Sequence, residues 1–335
     1  MKLQIQGKGT IWVSMLALLC VGFISTASAQ TATEVDEGLE GVLVLMPESE
    51  TSRSAFDGLS EELGDEFNVS SQIVDAETTK VEQLAKYISD AKPVVVVLMN
   101  NATVSLYRRY QSLTPGPYPA AVMMLTSFLK ESSKGIKNAT GIIYEIAGIT
   151  SFVTLRQLLD QPVANVGVVY RPWAKGFVAE QKVLAATEEI NIIGTEISGE
   201  GNVARQIKRA AYDLLTEEKV DAIWILNDNA LLKKEVIANG WLPALKRSSA
   251  PVVVNVSSLV TPKIKFGSFA VLPDHEQLGV QAANIIFELQ DQDWGVEGRS
   301  LEDPLAVEKV LLVDYAQDNF KLKKQALDQV DKLVR

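Results

Sequence analysis

Cysteine and histidine are nearly missing from this sequence: one of each in 335 residues, Cys20 and His275. A lone cysteine closes no internal disulfide, and a lone histidine leaves carboxylates as the only metal ligands, with no acidic calcium loop to organise them. The chain also lacks a G-x-S-x-G nucleophile elbow, a Walker-type phosphate loop, a G-x-G-x-x-G fingerprint and an H-E-x-x-H helix. The sequence therefore predicts no catalytic residue, no metal and no cofactor, and a binding role before an enzymatic one. Positive charge is scarce as well, with 32 lysines and arginines against 42 acidic residues. That balance argues against nucleic acid or an anionic lipid surface as partner. Beyond the N-terminus no apolar run approaches the roughly 20 residues a membrane span needs.

What is present begins with that N-terminus. Lys2 and Lys8 precede the apolar run "IWVSMLALLCVGFIS", and "ASA" at 27–29 follows it. A positive n-region, a short apolar h-region and a small-x-small site predict a signal peptide over 1–29, cleaved after Ala29, and a periplasmic protein that begins at Gln30. An uncleaved anchor is the alternative, for which the apolar run is short. Leu19 is bulkier than a lipoprotein signal prefers before Cys20. Cleavage removes Cys20, Lys2 and Lys8, leaving 30 basic against 42 acidic residues and a net charge of −12.

After an acidic leader the chain alternates short β-branched runs with stretches of helical period. "GVLVLM" (41–46), "VVVVLM" (94–99), "NVGVVY" (165–170), "DAIWIL" (221–226) and "PVVV" (251–254) read as strands buried on both faces. Helices are expected between them, including 175–190, 203–215 and 230–238. The rhythm breaks at "GIIYEIAGIT" (141–150) and then restarts. Continuous apolar strands between helices predict parallel sheets covered on both sides, here as two Rossmann-like α/β lobes.

Ligands of such sheets bind beyond the carboxyl ends of the strands. The residues there are mostly neutral hydrogen-bonding groups, with a few aromatics: Ser49, Asn100, Thr126, Tyr170, Trp173, Asp228, Asn229, Asn255 and Asp274 are the candidate ligand-binding residues. That mixture suits a small polar or amphipathic molecule. Ser, Thr, Asn and Asp before a helix also serve as N-caps. Asn229 fits a cap of the following helix, and Ser52 or Ser54 a cap of the first. Capping accounts for one residue per junction, however, and not for the run Asn227-Asp228-Asn229. Arg108 and Arg109 read as a solvated helix face, and His275 as a surface residue near a helix start.

From Gly41 to Leu327 the sequence resembles the ABC-transporter substrate-binding proteins of the periplasmic binding protein type I fold, and it is similar to the branch whose members bind aromatic amino acids. The resemblance is carried by "SAFDGLSEEL" (54–63), "ATGIIYEIAGITSFVTLRQLL" (139–159), "NVGVVYRPWAKGFVAEQKVLAA" (165–186), "VDAIWILNDNALL" (220–232) and "LPDHEQLGVQAANIIFEL" (272–289). It implies two lobes joined by a three-crossover hinge that closes on a ligand. The lobes would span 30–145 with 273–300, and 146–272 with 301–335. Asp228 would take a ligand's ammonium or other donor, with Asn229 beside it, while Tyr170 and the residues after it would meet acceptor groups. Where the family carries small polar residues after that strand, this chain has "RPWAKGF". Arg171 or Lys175 would then hold a ligand carboxylate, or the ligand has none.

Two functions follow as expectations. One is an exported solute-binding protein, a monomer, that captures a small molecule and delivers it to a membrane permease with a cytoplasmic ATPase. The other is a periplasmic sensor or accessory protein of the same fold, docking on a membrane kinase or envelope partner. Neither inserts into the membrane once the signal is cleaved.

Overall fold

Runs of valine, leucine and methionine with no polar interruption can only be strands that are covered twice, and the computed structural model places them so. It describes residues 38–75, 77–246 and 248–335. The expected signal peptide, its cleavage site after Ala29, and Cys20 lie outside the described residues.

The first half lays down β1 (Glu40–Met46), α1 (Glu50–Leu63), β2 (Phe67–Ile73), α2 (Val81–Ala91), β3 (Val95–Met99), α3 (Asn101–Leu113), β4 (Ala120–Met124), α4 (Leu129–Ser132) and β5 (Ala139–Gly141). Its sheet has the order β2-β1-β3-β4-β5, with every neighbouring pair parallel. All five residues of β3 are buried. One face packs on Ala55, Leu59, Ile285 and Ile286, the other on Leu84, Val104 and Tyr107.

The second half comprises α5 (Gly148–Leu158), β6 (Asn165–Tyr170), α6 (Lys175–Ala186), β7 (Asn191–Glu196), α7 (Val203–Thr216), β8 (Ala222–Ile225), α8 (Lys234–Val236), α9 (Leu242–Leu245), β9 (Val252–Val254) and β10 (Phe269–Pro273). A π-helical turn over Ile237–Trp241 joins α8 to α9. The chain closes with α10 (His275–Gln290), β11 (Val307–Leu312), α11 (Val313–Asn319) and β12 (Lys332–Val334). The second sheet has the order β12-β11-β10-β9-β8-β6-β7.

One pair departs from the expected parallel pattern: β11 runs antiparallel to β10. The cause is the path between them. After β10 the chain leaves for the first lobe, where α10 packs across α1, and it returns to the second sheet from the same end it left. The returning strand must therefore point the other way.

The chain thus passes between lobes three times, at 142–147, at Asp274 and over 291–306. The first and third passages run side by side. Ile142 and Glu302 form a parallel bridge, with Ile143 N–H donating to the Glu302 carbonyl at 2.8 Å. The first passage is also tied to the second through the Tyr144 hydroxyl and His275 Nε2, 3.0 Å apart. His275, expected on the surface, is instead half-buried and stacked on Tyr144. Arg108 likewise departs from a solvated face: it is half-buried and donates to the Ser132 carbonyl. Among the described residues no helix is long and apolar enough to cross a membrane.

Candidate functional site

The residues expected at the strand ends divide into three kinds. Ser49, Asn100 and Asp274 are helix caps. Ser49 Oγ accepts from Ser52 N–H at 3.1 Å, so it takes the capping role expected of Ser52 or Ser54. Asn100 Oδ1 accepts from Ala102 and Thr103 N–H, both at 2.9 Å, and its backbone sits at φ +105°. That conformation is costly for a side chain with a Cβ, and the two amide bonds hold it in place. Asp274 accepts from Gln277 N–H at 3.1 Å.

A second group is buried in or beside the core. The Thr126 hydroxyl donates to the Met124 carbonyl at 3.2 Å. Asn255 Oδ1 accepts from the indole N–H of buried Trp224 at 3.1 Å. Tyr170 packs against the core of the second lobe.

The third group stands just after β8 and after β6. Asp228 is 3 % exposed, and Arg171 grips both of its oxygens, Nε to Oδ2 and Nη2 to Oδ1, each at 2.7 Å. Such fork-on-fork geometry is the strongest form of ion pair. Asp228 Oδ1 also accepts from Ala230 N–H at 2.9 Å, and its carbonyl accepts from Leu231 and Leu232. These bonds fold 228–232 into a turn. The following helix starts at Lys234 rather than 230, and the exposed Asn229 caps nothing. Asn227 reaches across to the first lobe, donating to Ser127 Oγ at 2.9 Å.

Trp173, 42 % exposed, leads to a feature the strand-end pattern does not contain. It lines a cavity of about 550 Å3 whose wall comes from both lobes and from the first and third passages. Phe128, after β4, projects toward the other lobe and meets Trp173 edge-on, with ring centroids 4.4 Å apart, and Phe177 at 5.5 Å. Phe177 in turn lies 5.9 Å from Trp224, so a chain of rings runs from the core of the second lobe to the surface of the first. Lys130 and Glu180 bridge the lobes nearby at 3.1 Å.

Glu145 is the polar centre of this wall. It comes from the first passage, and its Oε1 accepts from Phe128 N–H at 2.7 Å. Phe128 is left-handed, at φ +54°, and the Glu145 bond helps fix that backbone and so the direction of its ring. Burial pushes the Glu145 carboxyl up to about 7, while the amides of Phe128 and of Glu145 itself pull it back. No cationic side chain among the described residues pairs with it. The sequence offered one signal for Glu145: a single carboxylate inside the otherwise apolar passage "IIYEIAG". Phe128 and Phe177 gave none, because each reads as an ordinary apolar position.

No protein-family model and no curated protein matches the chain. Solved structures do. A ligand-free, open substrate binding protein with adhesive properties from Clostridium difficile matches with a TM-score of 0.66 at 11% identity, covering 88% of this chain and 99% of that one. An ABC domain in complex with L-Trp from Streptococcus pneumonia matches at 0.59 and 17% identity, with the same coverage. An arabinose binding protein from Geobacillus stearothermophilus matches at 0.55 and 13% identity, covering 84% of this chain and 99% of that one. These likenesses establish the fold: two α/β lobes of the periplasmic binding protein type I architecture.

Proposed function

We propose that the chain is an exported solute-binding protein. It encloses a small amphipathic organic molecule between its lobes and presents it to a membrane permease driven by a cytoplasmic ATPase. It acts by capture and not by catalysis. The observation that carries this reading is the interlobe cavity: about 550 Å3 is the size of a typical small-molecule site, and its wall combines aromatic rings with a few polar groups. Two of the named neighbours of this fold are binding proteins, and the third holds L-Trp, which supports an aromatic body for the ligand.

The mechanism follows from a wall that is divided between two bodies. A ligand that touches Phe128 on one lobe and Phe177 on the other makes its full contact only when the lobes are together. It therefore shifts the population toward closure, by as much as its affinity for the closed form exceeds that for the open form. Three passages side by side form a hinge about which such closure can occur.

The test is native mass spectrometry of the purified chain after incubation with a small-molecule extract of its own cells and buffer exchange. One bound molecule per chain is expected, lost on Trp173→Ala. A chain that stays at its own mass throughout would overturn the reading.

A further inference from the structure

The charges on the cavity wall do not balance. Glu131, Glu145, Glu180 and Asp303 stand against one cation, Lys130. Lys130 is engaged by Glu180, and Glu131 by Lys134. Among the described residues this leaves Glu145 and Asp303 without a cationic partner. Asp303 is exposed and water serves it, but Glu145 is half-buried in the cavity wall, and a carboxylate partly withdrawn from water with no counter-charge is unfavourable. An arriving ammonium would remove that deficit and form a charge-assisted hydrogen bond.

The aromatic wall favours the same occupant. The rings of Phe128, Trp173 and Phe177 surround the space beside Glu145, and ring faces attract cations. Trp173 already has a cation at its ring, the Arg171 guanidinium 5.7 Å from the centroid. A ligand carboxylate finds no such welcome. The one lysine on the wall is paired, and Arg171 is bound through two nitrogens to buried Asp228. The same pair keeps Asp228 from serving as the ammonium site of an amino acid.

Resting on the solute-binding reading, we propose that the ligand is an organic cation without a carboxylate: a protonated amine on an aromatic body, its nitrogen held by Glu145 and its ring lodged among Phe128, Trp173 and Phe177. Glu145 is then the residue that sets specificity for charge, and the three rings set it for shape.

Calorimetric titration with four molecules that share one ring separates the possibilities: 2-phenylethylamine, phenylalanine, 3-phenylpropionate and 2-phenylethanol. The amine should bind about tenfold or more tighter than the others, the worth of one hydrogen bond to a charged group. Glu145→Gln keeps an acceptor for Phe128 N–H; it should weaken the amine by a similar factor and 2-phenylethanol by clearly less. Trp173→Ala should weaken both. If phenylalanine or 3-phenylpropionate binds as tightly as the amine, or Glu145→Gln leaves the amine unaffected, the cation assignment is wrong while solute binding stands. If none of the four binds the folded chain, the assignment is also wrong, and the extract experiment decides solute binding by itself.

Discussion

Arg171 and Asp228 illustrate how a loop residue decides what a carboxylate at a strand end can do. Arg171, after β6, makes the carboxylate that follows β8 half of an ion pair and leaves it no free oxygen. The proposed binding role then rests on Glu145, in the first passage between the lobes, whose ionisation has a measurable signature. Its carboxyl is lifted from an ordinary 4.5 to about 7 by burial. Between these values the folded chain holds a proton that the unfolded chain has released. The contribution of Glu145 to stability is thus fully present below about 4.5, lost as pH rises through 7, and flat above. The melting temperature of the native chain relative to Glu145→Gln should therefore fall between about pH 4.5 and 7 and level off above. The other charged groups on the cavity wall, Lys130, Glu131, Glu180 and Asp303, are common to both proteins, so the difference curve isolates Glu145. Parallel curves would show that folding leaves the ionisation of the Glu145 carboxyl unshifted.

At the scale of elements, the joint between α1 and α10 depends on two glycines. A Cβ added at Gly58 would lie 2.2 Å from the Glu276 carbonyl oxygen, and one at Gly279 only 2.0 Å from that of Ala55. Because these neighbours are backbone, the helices would have to move apart. Gly279→Ala should cost about 3 kcal/mol, the upper end for overpacking, in a denaturant titration. A cost under about 0.5 kcal/mol would mean that the helices slide freely. The sequence made most elements legible for a simple reason: a run such as Val95–Met99, with no polar residue, has one stable solution. The helix after β8 was misplaced because Asn229 has the chemistry of a cap, whereas Asp228 makes the turn. The reversed direction of β11 was hidden because a strand's period is the same in either direction; only the route through α10 fixes it. The strand-end rule pointed to the cleft, yet of the nine candidates only Trp173 lines the cavity. The rest of that wall comes from the first and third passages, from Phe128 and from helix faces, where no pattern in the chain distinguishes a ligand contact from a core contact.

For the whole molecule, the lobes already touch through Phe128 with Trp173 and Phe177, Asn227 with Ser127, and Lys130 with Glu180. Aromatic pairs add about 0.5–1.5 kcal/mol each beyond their buried area, and an exposed ion pair less than about 1 kcal/mol. Contacts of this size are weak enough to open, and in the proposed function a ligand would supply the rest of the closure energy. A crystal structure of the chain grown with 2-phenylethylamine tests this most directly. The expected result is the amine nitrogen within hydrogen-bond reach of Glu145, its ring against Phe128 and Phe177, and the Arg171–Asp228 pair intact. An amine seated on Asp228 with Arg171 swung away, or a cavity left empty at saturating amine, would contradict it.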